Sequence, residues 1–289
     1  ELLVSANPRD LDASKRLADL RQVCGGQASS AGAPCDVDAP SGQGNKLRVA
    51  VYSFDEPGHA CADIRLLAPL KHLAGEVELR WGVTKKENVL LMDPEGLSWA
   101  DLVILQRFFP EERTVSVVER VLRSGIPVLY EVDDLLLDVP STNANGMHAA
   151  RCAPYIEKLV RSCAAVTVST RNLAEEILPY NPSVHVLPNL LDEEIWLSNR
   201  DGVGEAGGSD RGDRLVIGYA GTPTHHADLE QAEQALEVIA ARYKGKVGFL
   251  FMGCATDRMM RLPGVSTAGF QPSYREFAKM RSRCHMLCR

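Results

Sequence analysis

An α/β chain built as two parallel-sheet domains is predicted by three observations. Short apolar runs of strand type alternate with helical stretches from Lys46 onward. These runs are continuous and rich in β-branched residues, as in strands buried on both faces. The alternation then restarts after a Gly-rich, charged break at 199–213. With 289 residues and 45% hydrophobic content, the chain carries enough apolar material for two cores.

Each element follows from its own residues. Residues 24–46 are rich in Gly, Ser, Ala, Pro and Gln and hold too little apolar surface to offset ordering entropy, so 1–46 reads as a linker or the remnant of a preceding segment. The first residue is Glu1, which suggests a start that is missing or processed. Leu47–Ser53 is a strand run, followed by the turn-prone Asp55-Glu56-Pro57-Gly58 and a helix over about 60–74, which Pro69 should kink or open. Strands recur at 77–81, 102–106, 127–132, 165–169 and 184–187, with helices near 112–124, 147–163 and 171–178. Together 47–198 form a first domain, and 199–213 a flexible loop. In 214–289 the pattern gives strand 215–220, loop 221–228, helix 229–243, strand 247–252, a weaker strand 264–268 and helix 273–280. Three strands make half a doubly wound domain, because its ligand crevice needs strands on both sides of the first. The second domain is therefore expected to be incomplete, with an open sheet edge.

Charge and cysteine usage exclude several classes. The net charge of −6 argues against a nucleic-acid binder, which needs clustered Lys and Arg. No apolar run approaches the roughly 20 residues that cross a bilayer, and no charged-then-apolar leader opens the chain, so a cytoplasmic protein is expected. The eight cysteines are scattered through helix and strand patterns and are expected to be reduced. Cys284-His285-x-x-Cys288 lacks a second pair of ligands at zinc-site spacing, reads as a frayed tail, and leaves the chain with no expected metal site.

Two places carry candidate chemistry. The loop Gly221-Thr222-Pro223-Thr224-His225-His226-Ala227-Asp228 joins a buried strand to a helix, at the sheet edge where open α/β folds bind ligands. Gly221 admits a phosphate close to the backbone, the helix N-terminus offers positive partial charge, and Thr222, Thr224 and His225 add donors. The plainer alternative is that Thr224 or Asp228 caps the helix. In the first domain, Tyr130-Glu131-Val132-Asp133-Asp134 places three carboxylates at the carboxyl end of a strand. Hydroxyl recognition, general-base work, metal binding and simple turn capping all remain open there. Gly58 and Arg65 follow the first strand on the same edge, Arg65 as an oxyanion partner or an ordinary surface arginine.

In order and spacing the chain resembles bacterial glycosyltransferases of the two-Rossmann-domain, GT-B type, in the broad group that transfers sugars from nucleotide donors with retention of configuration. The carriers are Ile64-Arg65 with Pro69-Leu70, Tyr130 to Leu135, Val166 to Thr170, Val186-Leu187-Pro188-Asn189 and Ile217 to His225. The resemblance implies two Rossmann-like domains, the first binding the acceptor and the second the nucleotide-sugar donor. It implies Gly221, Thr222, Thr224 and His225 beside the donor diphosphate, with Gly58, Arg65, Asp133 and Asp134 on the acceptor side. The acceptor would be a glycan or a lipid-linked carrier in surface-polysaccharide synthesis, the latter bringing peripheral membrane association, and no cofactor or metal would be obligatory. Two departures stand out. His225 and His226 replace the arginine and lysine that many relatives carry after this strand, and the chain ends before the family's later strands and glutamate-bearing helix, which suggests truncation or a frameshift at Cys284. The alternatives are a non-catalytic sugar-nucleotide or carbohydrate binding module and a nicotinamide-dependent enzyme. The missing G-x-G-x-x-G counts against the last.

Overall fold

The computed structural model describes residues 46–86, 89–93, 95–197 and 214–288. The expectations for most of 1–46 and for the loop 199–213 fall outside the described residues. The chain divides into two compact units. The first holds residues up to Phe54, Leu67–Leu137 and Arg151–Pro188; the second holds Asp55–Leu66, Asp138–Ala150 and Asn189–Arg289.

The first unit is built on six parallel strands: β1 (Leu47–Tyr52), β2 (Val77–Trp81), β5 (Leu102–Gln106), β6 (Val128–Val132), β7 (Ala165–Val168) and β8 (Val184–Val186), in the order β2-β1-β5-β6-β7-β8. Every residue of β5, β6 and β7 is buried, which is why their sequences run continuously apolar rather than alternating. The chain leaves β1 for β2 on one side and returns to β5 on the other, so the strand order reverses beside β1. A two-stranded antiparallel pair, β3 (Val83–Lys86) and β4 (Val89–Met92), and the short α2 (Glu95–Trp99) intervene, and were not anticipated. The helices α3 (Val115–Arg123), α4 (Gly146–Ser162) and α5 (Arg171–Ile177) match the predicted stretches. Thr170 caps α5 by accepting from the Leu173 N–H.

Helix α1 resolves the question posed by Pro69. It runs as Ala60–Ala62, a π-helical stretch Asp63–Leu67, and Ala68–Lys71, with Pro69 at the start of the last piece. A proline has no N–H to give to the carbonyl four residues back, and the wider π turn before it absorbs that missing bond.

The second unit carries four parallel strands: β9 (Leu215–Ala220), β10 (Val247–Met252), β11 (Val265–Ala268) and β12 (Met286–Cys288), in the order β11-β10-β9-β12. The tail expected to fray is instead a strand, with Met286, Leu287 and Cys288 in register with Ile217, Gly218 and Tyr219. This corrects the three-strand expectation, since β9 now has a neighbour on each side. The fit is close: a methyl group added at Gly218 would run into the Cys284 sulfur, so only glycine lets the chain pass there. His285 extends the pairing by one residue, its N–H donating to Val216 O and its Nδ1 accepting the Val216 N–H, both at 2.9 Å. Helices α6 (Glu193–Leu197), α7 (His226–Arg242) and α8 (Tyr274–Arg281) complete the unit. Ser273 caps α8 through the Glu276 N–H, and the five cysteines whose side chains are described form no disulfide. Among the described residues no helix is long and apolar enough to cross a membrane.

Candidate functional site

The carboxyl end of β9 leads straight into a helix. A 3₁₀ turn (Pro223–His225) precedes α7, so helical structure begins earlier than the predicted residue 229 and the loop proper shrinks to Gly221-Thr222. Thr222 and His225 stand at the cap positions and neither makes a side-chain cap; Thr224 lies inside the 3₁₀ turn and Asp228 inside the first turn of α7, so neither residue of the plainer capping alternative occupies a cap position. The Thr222 and Thr224 hydroxyls instead meet at 2.6 Å. The His225 and His226 N–H groups are engaged by Thr222 O and Pro223 O, while the two hydroxyls and the His225 ring are donors able to turn outward. His225 Nδ1 lies 3.0 Å from Asp228 Oδ2, an exposed pair that orients the ring, and His226 pairs with Glu230 at 3.4 Å. With Nδ1–H donating to Asp228, a protonated His225 presents Nε2–H to an anion.

The sequence reading missed what braces this loop. Gly253, at the carboxyl end of β10, has φ +90, and a methyl group there would strike the Gly221 carbonyl oxygen. Gly221 N–H donates to Met252 O at 3.0 Å, and the Cys254 thiol to Thr222 O at 3.1 Å. A side chain at Gly221 would also collide with the Tyr219 ring. Two strand ends thus approach as bare backbone, leaving a surface that a phosphate can reach closely. The Met252-Gly253 step was visible at the end of a predicted strand, just as Ala220-Gly221 was. An apolar cavity of about 100 Å³ lies instead beneath α7, lined by Ile217, Tyr219, Leu229, Leu236 and Phe249. With no hydrophilic wall beyond Asp228, it does not suit a phosphorylated ligand.

In the first unit, Asp133 and Asp134 stand where predicted, just beyond β6. Both accept from Nη1 of Arg107, the residue after β5, with Asp134 Oδ2 at 2.8 Å. A guanidinium between the carboxylates does not fit the metal-binding alternative. Arg107 is held at φ 51, a left-handed conformation unusual for a non-glycine residue, and its carbonyl accepts from the Tyr130 hydroxyl at 2.9 Å. Sequence reasoning missed Arg107, although it directly follows a predicted strand. Burial pushes the Tyr130 hydroxyl well above its ordinary pKa. The third carboxylate, Glu131, is 1% exposed and accepts from Gln106 Nε2 at 2.8 Å, while Ser53 Oγ donates to Gln106 Oε1 at 2.7 Å. Strand register places Gln106, Glu131, Thr167 and His185 in one row across four strands, hence on one sheet face.

Gly58 and Arg65 fall in the second unit, whereas Asp133 and Asp134 fall in the first. Arg65 is 5% exposed and donates to Asn189 Oδ1 at 2.9 Å, which overturns the surface-arginine alternative. Gly58, at φ +98, accepts at its carbonyl from the Tyr274 N–H at 2.9 Å.

No family profile and no curated protein sequence matches the chain. Solved structures do share its architecture. A Listeria monocytogenes structure assigned as a UDP-N-acetylglucosamine 2-epimerase is 10% identical, over 84% of this chain and 74% of its own, at a TM-score of 0.53. MnaA from S. aureus, solved with UDP, is 12% identical over 83% and 73% at 0.51. An apo structure of OtsA is 8% identical over 82% and 76%, also at 0.51. At such identities the likeness is one of fold: the chain has the GT-B type α/β fold with Rossmann-like parallel sheets.

Proposed function

We propose that this GT-B type chain is a sugar-nucleotide enzyme, and specifically a glycosyltransferase that moves a sugar from a nucleotide donor to a glycan or lipid-linked acceptor. The observation that carries the reading is the bare-backbone junction of Gly221 and Gly253 at the carboxyl ends of β9 and β10. It stands beside a helix start without a side-chain cap, in a sheet whose order reverses at β9. The UDP in the MnaA structure supports a nucleotide as the ligand class.

In this reading the diphosphate lies against Gly221. The Thr222 and Thr224 hydroxyls and the His225 imidazolium donate to it, and the helix end adds its positive dipole. These groups stabilise the charge that grows on the departing nucleoside diphosphate as the glycosidic bond breaks, and no metal takes part in the step. The Arg107–Asp133–Asp134 group is proposed to receive acceptor hydroxyls. The setting is cytoplasmic surface-polysaccharide synthesis, and a lipid-linked acceptor draws the chain to the membrane surface.

Calorimetry of the chain with UDP-, GDP-, dTDP- and CMP-linked sugars tests this. One of them should bind saturably, and His225→Ala should weaken it by about tenfold or more, the worth of one charge-assisted hydrogen bond. An unchanged affinity would remove His225 from the site. Product analysis then separates the chemistries: sugar transfer supports the proposal, a C2-epimerised donor points to an epimerase, and binding without turnover points to the non-catalytic module.

A further inference from the structure

We propose that Asp55, His59 and Cys61 form a binding site for a zinc-class divalent cation, with three protein ligands and a fourth position left to water or an anion. The inference departs from the expectation that the chain carries no metal site, and it does not rest on the donor-loop reading.

The segment Asp55-Glu56-Pro57-Gly58-His59-Ala60-Cys61 is folded back on itself by a tight turn. The His59 N–H donates to Glu56 O at 2.9 Å, with Pro57 second and Gly58 third in the turn. Proline sets the first central φ and glycine supplies the positive second one, here +98, which is the requirement of a type II turn. Gly58 N–H is then fixed on Asp63 Oδ1 at 2.8 Å, and the Asp63 N–H donates to His59 O at 2.8 Å to open α1. The turn brings Asp55 beside His59, and the first helical turn presents Cys61 to both.

The three ligand atoms lie within 4.8 Å of one another, and each residue is only partly buried, so an ion can enter. His59 Nδ1 is 3.4 Å from Asp55 Oδ1, too long for a good charge-assisted hydrogen bond. Two ligands at about 2.0–2.1 Å from a tetrahedral ion stand about 3.4 Å apart, which matches. His59 Nδ1 is moreover a buried ring nitrogen with no hydrogen-bond partner among the described residues, the kind of atom that an ion or ordered water ordinarily satisfies. One imidazole, one thiolate and one carboxylate suit Zn²⁺ or Co²⁺ rather than Mg²⁺ or Ca²⁺, which want oxygen throughout.

The test is a Co²⁺ titration of the reduced, chelator-stripped chain. A thiolate-to-cobalt charge-transfer band and intense tetrahedral visible bands should saturate at one equivalent and vanish when Zn²⁺ is added. Asp55→Asn should keep the sulfur band while weakening binding by at least about tenfold, and Cys61→Ser should lose the band while circular dichroism stays unchanged. Cys152→Ser, at the second such cluster with Glu111 and His148, should leave the band in place, as should Cys284→Ser beside His285. The proposal is overturned if the unmodified chain takes up no stoichiometric Co²⁺, as a water-bridged Asp55–His59 pair would give, or if the sulfur band survives Cys61→Ser.

Discussion

The Thr167 hydroxyl is buried at 2% exposure in β7 and has no hydrogen-bond partner among the described residues, although its row neighbours Gln106 and Glu131 are bonded. A desolvated hydroxyl without a partner costs about 1–3 kcal/mol, and a methyl group of the same shape carries no such penalty. Thr167→Val should therefore raise stability by about 1 kcal/mol in a urea melt. A loss of that size would instead show that the hydroxyl is bonded, through water or to the Glu131 carboxylate. At this scale the sequence was legible only where a residue follows a recognisable strand. Asp133, Asp134, Gly221 and Thr222 were placed that way. Arg107 and Gly253 occupy equivalent positions, but their importance comes from what they touch across neighbouring strands, and no spacing along the chain encodes that.

Among the elements, β12 tests how far three residues can act as a strand. It lacks β-branched residues and comes only a short turn after α8 ends at Arg281, so no run or alternation announced it. Tertiary pairing with β9 overrides that weak local preference. His285 is the hinge of this pairing, because its ring nitrogen stands in for a strand carbonyl at Val216. His285→Ala should cost about 0.5–1.5 kcal/mol and speed amide exchange at Val216. An unchanged Val216 rate would mean that the backbone bond of residue 285 holds the strand alone. The β3–β4 pair escaped notice for a related reason, since β3 reads Val83-Thr84-Lys85-Lys86 and offers no apolar run. The long central strands were legible because burial on both faces demands unbroken apolar runs, and their positions shift by no more than a residue or two.

Across the molecule, buried acids that must stay protonated set an alkaline limit. Burial pushes the Cys163 thiol up to about 12 and the Tyr130 hydroxyl well above its usual value. In each case the folded state holds its proton at a pH where the unfolded chain has released it, so stability is lost as pH rises above the unfolded value. The loss begins near pH 9 for Cys163 at about 1.4 kcal/mol per pH unit and steepens near pH 10 as Tyr130 joins. Denaturant melts between pH 8 and 11 should show Cys163→Ala with a shallower first limb than the unmodified chain, the remaining slope coming from the Cys152 and Cys254 thiols that burial also raises. Parallel slopes would contradict the burial account.

The central claim is that a nucleotide sugar binds at the carboxyl end of β9, against the backbone of Gly221 and Gly253. Amide exchange with and without saturating nucleotide sugar, drawn from the UDP- and GDP-linked set, tests it most directly. The account predicts slowed exchange at Thr222 and Thr224, whereas the Gly221 and Gly253 amides, already bonded to Met252 O and Ala268 O, exchange slowly with or without ligand. Protection elsewhere in the chain, with the Thr222 and Thr224 amides unchanged, would contradict it.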